Sequence, residues 1–278
     1  MTEPTLYPES GFLRLRIDLA YDGTNFSGWA VQPDRRTVQA LIEEALAKIA
    51  RTEVETIVAG RTDAGVHASG QVIHVDVPEN IGLDDLAYKL NRILDEDIRI
   101  NKIEVAPPAF HARFSALRRY YQYRILDSNS VIQPLARFNT AGWYRPLDLD
   151  LMNQASKLLL GTHDFAAFCK FREGGTTIRT LEKYQWIRDE QGILVADVVA
   201  DAFCYSMVRN LVGAVVCVAD GRFEPSWIAT LLANRERVSD SLVFPGRGLT
   251  LYKVDYPTPA ELLDRAAKTV ARREEENN

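Results

Sequence analysis

Two spacings of apolar residues alternate along this chain, and they do so in the same order twice. Leu13, Leu15, Ile17 and Leu19 alternate with Arg14, Arg16 and Asp18, the period of a strand with one buried face. Val38, Leu41, Ile42, Ala45, Leu46 and Ile49 then recur at the helical period, with Thr37 as the expected N-cap and Glu43 and Glu44 facing outward. Strand patterns follow at 54–58 and 71–77, a helix at 84–94 and a strand at 98–105. The order is β-α-β-β-α-β, the split arrangement of ferredoxin-like folds. After Pro107-Pro108 it returns: strands near 121–126 and 142–144, a helix at 150–160 stopped by Gly161, a hairpin of strands 177–188 and 193–201 around Asp189-Glu190-Gln191-Gly192, an apolar helix at 204–219, a short helix from Pro225 and a strand at 249–254.

The expected fold class is therefore α+β with two ferredoxin-like units, whose sheets could join into one extended, mostly antiparallel sheet with helices on one side and a cleft on the other. The expected division is a flexible N-terminus 1–10, a first unit 11–108, a second unit 109–257 with an insertion at 162–176, and a charged tail 258–278. At 278 residues the chain is long enough for two such cores.

The longest apolar run, about Leu211 to Ala219, is half of what a membrane span needs. The first ten residues lack the basic and apolar regions of a secretory signal. Cys169, Cys204 and Cys217 form no CxxC pair, so three reduced thiols and a cytoplasmic location are expected. Net charge is −5, so any nucleic-acid surface must come from charge distribution. Arg113, Arg118, Arg119 and Arg124 occur with no acid among them, interleaved with Phe110, Phe114, Tyr120, Tyr121 and Tyr123. Such a strip suits phosphates and unstacked bases; it equally suits a solvated strand edge.

The stretch Ala59-Gly60-Arg61-Thr62-Asp63-Ala64-Gly65-Val66-His67-Ala68-Ser69-Gly70-Gln71 sets one carboxylate in a glycine-rich loop between strands. Rigid scaffolds present functional groups in such places, and Gly60 and Gly65 permit backbone angles closed to other residues. Arg61 favours the ionised form of Asp63. An ionised, positioned carboxylate is a base or a nucleophile, or it closes an Asx-turn on its own backbone. His67 and His74 lack partners for a zinc site. Gly161-Thr162-His163-Asp164-Phe165 reads as a loop or cap, since adjacent side chains rarely converge. Arg209 interrupts an apolar helix and needs an acid: a structural one, or Asp63.

These pieces together resemble the A-type tRNA pseudouridine synthases. The loop from Gly60 to Ala68 is similar to that family's signature. Tyr21-Asp22-Gly23-Thr24, Gly28-Trp29, Gln32-Pro33, Thr37-Val38-Gln39, Arg113-Phe114-Ser115-Ala116, Arg119-Tyr120-Tyr121-Gln122-Tyr123, Gly161-Thr162-His163-Asp164-Phe165, Met207-Val208-Arg209 and Gly248-Leu249-Thr250-Leu251 match in order, from about Leu15 to Tyr256. The resemblance implies conversion of uridine to pseudouridine at tRNA positions 38, 39 and 40, in the anticodon stem-loop, by a homodimer without cofactor or metal. It implies Asp63 as catalytic nucleophile, Arg209 as its ion-pair partner, Arg61 in base flipping, and Tyr121 packing on the target uracil. Leu249 would line the pocket, and Arg119 and Arg113 would contact substrate. The sequence departs from the usual pattern at Ala30, at Phe244 and Gly246, and at Cys204-Tyr205. A noncatalytic RNA-binding protein on the same scaffold would share the strip but have no use for Asp63 with Arg209. A carboxylate-dependent hydrolase would release free base.

Overall fold

The computed structural model describes residues 7–128, 131, 133–170, 175–235 and 242–264. The chain divides into two compact units: Met1–Ala64 with Ala68–Leu117 and Lys253–Asn278, and Gly65–His67 with Arg118–Tyr252. The division follows Leu117 rather than Pro108, because the segment after the prolines is tied into the first unit. Arg14 Nη1 donates to Phe110 O at 3.0 Å, Ala112 N–H donates to His74 Nδ1 at 3.0 Å and Tyr256 Oη donates to Ala112 O at 2.7 Å. Most of the expected N-terminal segment 1–10, and the acidic end of the tail, lie outside the described residues.

The first unit contains β1 (Phe12–Tyr21), α1 (Val38–Ala50), β2 (Thr56–Val58), β3 (His67–Pro78), α2 (Leu86–Ile93) and β4 (Ile98–Val105). Its sheet order is β4-β1-β3-β2, every pair antiparallel. Leu15, Ile17 and Leu19 are fully buried, as their alternation requires, and α1 and α2 pack against each other with Ile42, Leu46, Leu86 and Leu90 in the core. Arg14 leaves the solvent-facing set: it is 5% exposed and makes a two-pronged pair with Asp76 at 2.7 and 2.8 Å. A paired, hydrogen-bonded guanidinium is the form in which burial is tolerated. Thr37 stands at the N-cap position of α1, but its hydroxyl makes no cap bond.

The second unit contains β5 (Arg118–Leu126), β6 (Ala141–Gly142), α3 (Leu149–Lys157), β7 (Gly161–Asp164), β8 (Ile178–Arg188), β9 (Leu194–Ala200), α4 (Met207–Ala219), α5 (Ser226–Asn234) and β10 (Leu249–Asp255). The order β10-β5-β9-β8-β7 repeats that of the first unit, fourth-first-third-second, with β7 added at the β8 edge. β6 is the parallel exception, on β5. The expected insertion at 162–176 thus supplies a strand, and residues 171–174 of it lie outside the described set. Every residue of α4 except Arg209 is buried.

One device recurs. Asn91 of α2 brackets the backbone of Ile100 on β4, accepting from its N–H at 2.8 Å and donating to its carbonyl at 2.9 Å. Asn153 of α3 brackets Trp186 on β8 in the same way, at 2.9 and 3.1 Å. Each amide satisfies a strand's backbone pair and sets how the helix lies on its sheet. Cys169 and Cys204 form a disulfide with Cα atoms 5.8 Å apart, which corrects the expectation of three reduced thiols; Cys217 is buried and not part of it. The two partners lie 35 residues apart, so no local spacing announces them. Among the described residues no helix is long and apolar enough to cross a membrane.

Candidate functional site

The glycine-rich loop is held peptide by peptide where it belongs to the first unit. Ala59 N–H donates to Val72 O at 2.9 Å. Gln71, fully buried on β3, reaches back with Nε2 to Gly60 O at 2.9 Å and to Tyr21 Oη at 3.2 Å. Tyr21 Oη shares a 2.7 Å hydrogen bond with Thr62 Oγ1, and Trp29 N–H donates to Thr62 O at 3.0 Å. Burial pushes the Tyr21 phenol up to about 12, against the opposing hydrogen bonds of Thr62 and Gln71, so it stays a neutral hydroxyl. The peptide before Asp63 is therefore held at its carbonyl by Trp29, the Thr62 side chain by Tyr21, and the earlier Gly60 carbonyl by Gln71. Asp63 itself is half-buried and Arg61 is exposed. A carboxylate on so stiff a mount, still reachable by a solute, has the chemistry of a base or a nucleophile.

Gly28 permits that grip. Its φ is +103°, and a Cβ there would sit 2.9 Å from Thr62 O and 3.3 Å from Asp63 C. Gly65 also uses the left-handed region, at φ +75°. Gly60 has no positive φ, so the conformational role expected of both loop glycines falls to Gly65 alone.

In the second unit, Tyr121 is 6% exposed on β5, and its ring meets that of Phe203 at 5.1 Å and 89°. Arg209 Nε donates to Phe244 O at 2.7 Å, and Phe244 N–H donates to Arg209 O at 3.2 Å. Tyr123 Oη donates to Pro245 O at 2.6 Å. His67 Nε2 lies 2.8 Å from Phe138 O and 3.1 Å from Arg247 O, which makes Nε2 the protonated nitrogen. These contacts fix the segment 244–248 that leads into Leu249, itself 5% exposed. Gly248 is required there: a Cβ would stand 2.6 Å from the Tyr123 ring. His67 thus acts between two backbone carbonyls.

The arginine strip resolves into different tasks. Arg113 is exposed, with its guanidinium 5.4 Å from the Phe114 ring centre. Arg118 pairs with Glu182 at 2.5 Å and Arg124 with Asp189 at 3.8 Å. Arg119 is 8% exposed and donates through Nη1 to Asp201 O at 2.7 Å. Of the four, Arg113 is the most exposed; Arg118 and Arg124 are half-buried and Arg119 is buried. His163 and Asp164 diverge as expected: His163 Nε2 meets Leu160 O at 2.9 Å, while Asp164 accepts from Ala166 N–H and Thr177 Oγ1. The residues that sequence reasoning passed over are Tyr21, Thr62, Gln71 and Phe203. Tyr21 stands inside a matched motif and Thr62 and Gln71 inside the loop stretch, so the signal was there, but their mutual contact was not.

A family model described as tRNA pseudouridine synthase matches residues 19–115 and 155–257. A protein of Frankia casuarinae named tRNA pseudouridine synthase A is 53% identical over 262 residues, covering 94% of this chain and 96% of that one. The protein of that name from Streptomyces griseus is 52% identical over 266 residues, covering 94% of each. The one from Mycobacterium leprae is 47% identical over 284 aligned positions, covering 97% of this chain and 98% of its own.

Proposed function

This chain belongs to the tRNA pseudouridine synthase family and isomerises uridine in tRNA, and within that activity we propose that it acts as a cytoplasmic homodimer on positions 38, 39 and 40 of the anticodon stem-loop, with Asp63 as its nucleophile. The observation that carries the assignment of Asp63 is its loop: a half-buried carboxylate that follows a residue held by Trp29 at its carbonyl and by Tyr21 at its hydroxyl, with Gln71 holding Gly60 O three residues before it.

The reaction is a balanced rearrangement. The bond from ribose C1′ to uracil N1 breaks, the ring turns, a bond from C1′ to C5 forms, and the C5 proton leaves to solvent while N1 gains one. A base inside a duplex stack is out of reach, so it is extruded first, at a cost of a few kcal/mol. Arg61, exposed beside Asp63, fills the vacated place in the stack, and Tyr121 packs on the extruded ring. Asp63 attacks either the uracil ring or C1′; both routes give the same product. Arg209 is its proposed countercharge. Leu249, buried at the start of β10, is the apolar wall that keeps water from intercepting the intermediate. Arg113 contacts phosphate, and Arg119 serves substrate through the Asp201 turn that it holds.

The test is Asp63→Asn, which keeps size and removes the charge. Tritium release from 5-labelled uridine in tRNA is expected to vanish, while gel-shift affinity for tRNA stays within about twofold. Turnover near the wild-type rate would overturn the role of Asp63. A mass-spectrometric map of modified tRNA checks the three positions, and sedimentation checks the dimer. A noncatalytic RNA-binding protein would release no tritium even as wild type.

A further inference from the structure

Arg118, Arg119 and Arg124 are committed to internal partners, but Arg247 is not. Its side chain is exposed, and among the described residues its guanidinium makes no ion pair and no hydrogen bond. Its backbone, in contrast, is fixed from several sides. Arg247 O accepts from His67 Nε2 at 3.1 Å. Before it, Phe244 exchanges two hydrogen bonds with Arg209, at 2.7 and 3.2 Å, and Pro245 O accepts from Tyr123 Oη at 2.6 Å. After it, Gly248 lies against the Tyr123 ring, where a Cβ would stand at 2.6 Å, and Leu249 N–H donates to Gly246 O. Gly65 faces the same stretch: a Cβ there would meet Arg247 N at 3.7 Å and Gly246 Cα at 4.0 Å. The segment that carries Arg247 therefore runs beside the second half of the glycine-rich loop, two residues after Asp63 in the chain. Burial pushes the Tyr123 phenol up, and the charges of Arg209 and Arg247 oppose that rise. Two guanidinium charges thus act on one buried hydroxyl, next to the residues that lead into Leu249.

We propose that Arg247 is a substrate-binding residue that holds a backbone phosphate of tRNA next to the extruded uridine. The inference rests on the reading of the glycine-rich loop and Leu249 as the uridine pocket. A nucleotide that leaves its stack stays joined to the chain by a phosphate on each side, so an ion pair beside the pocket favours the extruded form. A guanidinium offers a planar fork of N–H donors that fits phosphate oxygens, and it gives up its water more readily than an ammonium does. The contact displaces no internal partner, so the counterions it releases from the nucleic acid are not offset by a bond lost inside the fold. The fixed backbone leaves the side chain only a small volume to search. Arg61 and Arg247 then have complementary tasks: one occupies the vacated place in the stack, the other anchors the strand that has left it.

The experiment measures the Kd for tRNA across a salt series in wild type, Arg247→Gln and Arg247→Lys. A charge-assisted contact corresponds to about a tenfold change in affinity, and one phosphate to a salt slope of about 0.7 to 0.9. Arg247→Gln is expected to raise Kd by that factor and to flatten the dependence of log Kd on log salt by that slope, and Arg247→Lys to recover most of both. Tm should stay within about one degree, because the guanidinium has no bond in the described fold to lose. To locate the phosphate, each linkage flanking the modified uridine is replaced in turn by a neutral methylphosphonate, with the adjacent 2′-hydroxyl removed and a matching 2′-deoxy phosphate control. At one linkage wild type is expected to lose about tenfold in affinity and Arg247→Gln nothing further. Unchanged Kd and slope in Arg247→Gln would overturn the proposal. So would a wild type indifferent to both linkages, losses that add in full at both, or a lowered Tm with the wild-type slope. These are binding measurements, so they hold whatever Asp63 does; failure of the catalytic reading shows instead as full tritium release in Asp63→Asn with Arg247 intact.

Discussion

Replacing Gly28 by alanine tests whether the mount of Asp63 is as stiff as its contacts indicate. Two penalties add. The backbone at φ +103° disfavours any Cβ, at about 1–3 kcal/mol. The new methyl also meets Thr62 O at 2.9 Å, against an ordinary contact limit of about 3.4 Å, so the Thr62–Asp63 backbone must retreat by roughly half an ångström (3.4 − 2.9). Thr62 cannot retreat without stretching its bonds to Trp29 and Tyr21, which adds about 1 kcal/mol. The expected loss is about 2–4 kcal/mol of stability. A displacement of 1 Å near a reacting group corresponds to about a hundredfold in rate, so half of that predicts about tenfold in kcat. Gly11 supplies the control. Its φ is +85°, yet nothing lies within 4 Å of where its Cβ would be, so Gly11→Ala carries backbone strain without collision. Urea unfolding measures stability for both variants, and single-turnover tritium release measures rate. Gly28→Ala should lose both, and Gly11→Ala stability alone. Equal behaviour of the two variants, or full turnover in Gly28→Ala, would refute the claim that Gly28 positions Asp63.

Two further outcomes follow from groups away from the chemistry. Burial, with help from His111 and Arg14, lowers the His74 imidazole to about 2, whereas the unfolded chain binds that proton near pH 6.5. Between those values the unfolded state holds the extra proton, so stability present above pH 6.5 is lost as pH falls, by about 2 kcal/mol at pH 5. His74→Asn, which keeps an acceptor for Ala112 N–H, should shrink the difference between unfolding at pH 8 and pH 5 by about that amount; an unchanged difference would count against it. Closing 35 residues, the Cys169–Cys204 disulfide corresponds to about 4 kcal/mol in the chain-entropy account. Cys204→Ser should therefore lower the urea midpoint clearly, and a phosphine reductant should lower that of wild type but not of the variant. Identical midpoints would argue that the bond contributes nothing.

The fold was legible because its elements carry strong periods. Leu15, Ile17 and Leu19 and the apolar face of α1 need no tertiary knowledge, and the repeated β-α-β-β-α-β order follows from them. The misses have physical causes. β3 begins at His67, before its apolar run, because Ala68, Ser69 and Gly70 show no alternation and are held by neighbours instead. β7 has no apolar stripe at all; Gly161-Thr162-His163-Asp164 is a strand only because β8 offers it partners. For the site, Asp63 and Arg61 were visible as chemistry, and Tyr121 through resemblance. The grip of Tyr21 on Thr62 spans 41 residues of sequence, and the perpendicular pair of Tyr121 with Phe203 spans still more. Such contacts leave no local signature. Thr37 and Gly60 show the converse error, residue types whose usual roles their surroundings do not use.

The fates of the four strip arginines change how this protein must attract RNA. In sequence they count as four cations ready for phosphate. In the fold, Arg118 and Arg124 already face carboxylates and Arg119 a carbonyl. A phosphate that recruits one of them displaces an internal partner, so few counterions are released from the nucleic acid for each charge written in the chain. Binding through this strip should then weaken less steeply with salt than four arginines imply. On a chain of net charge −5, discrimination among RNAs falls to shape and to bases that can leave their stack.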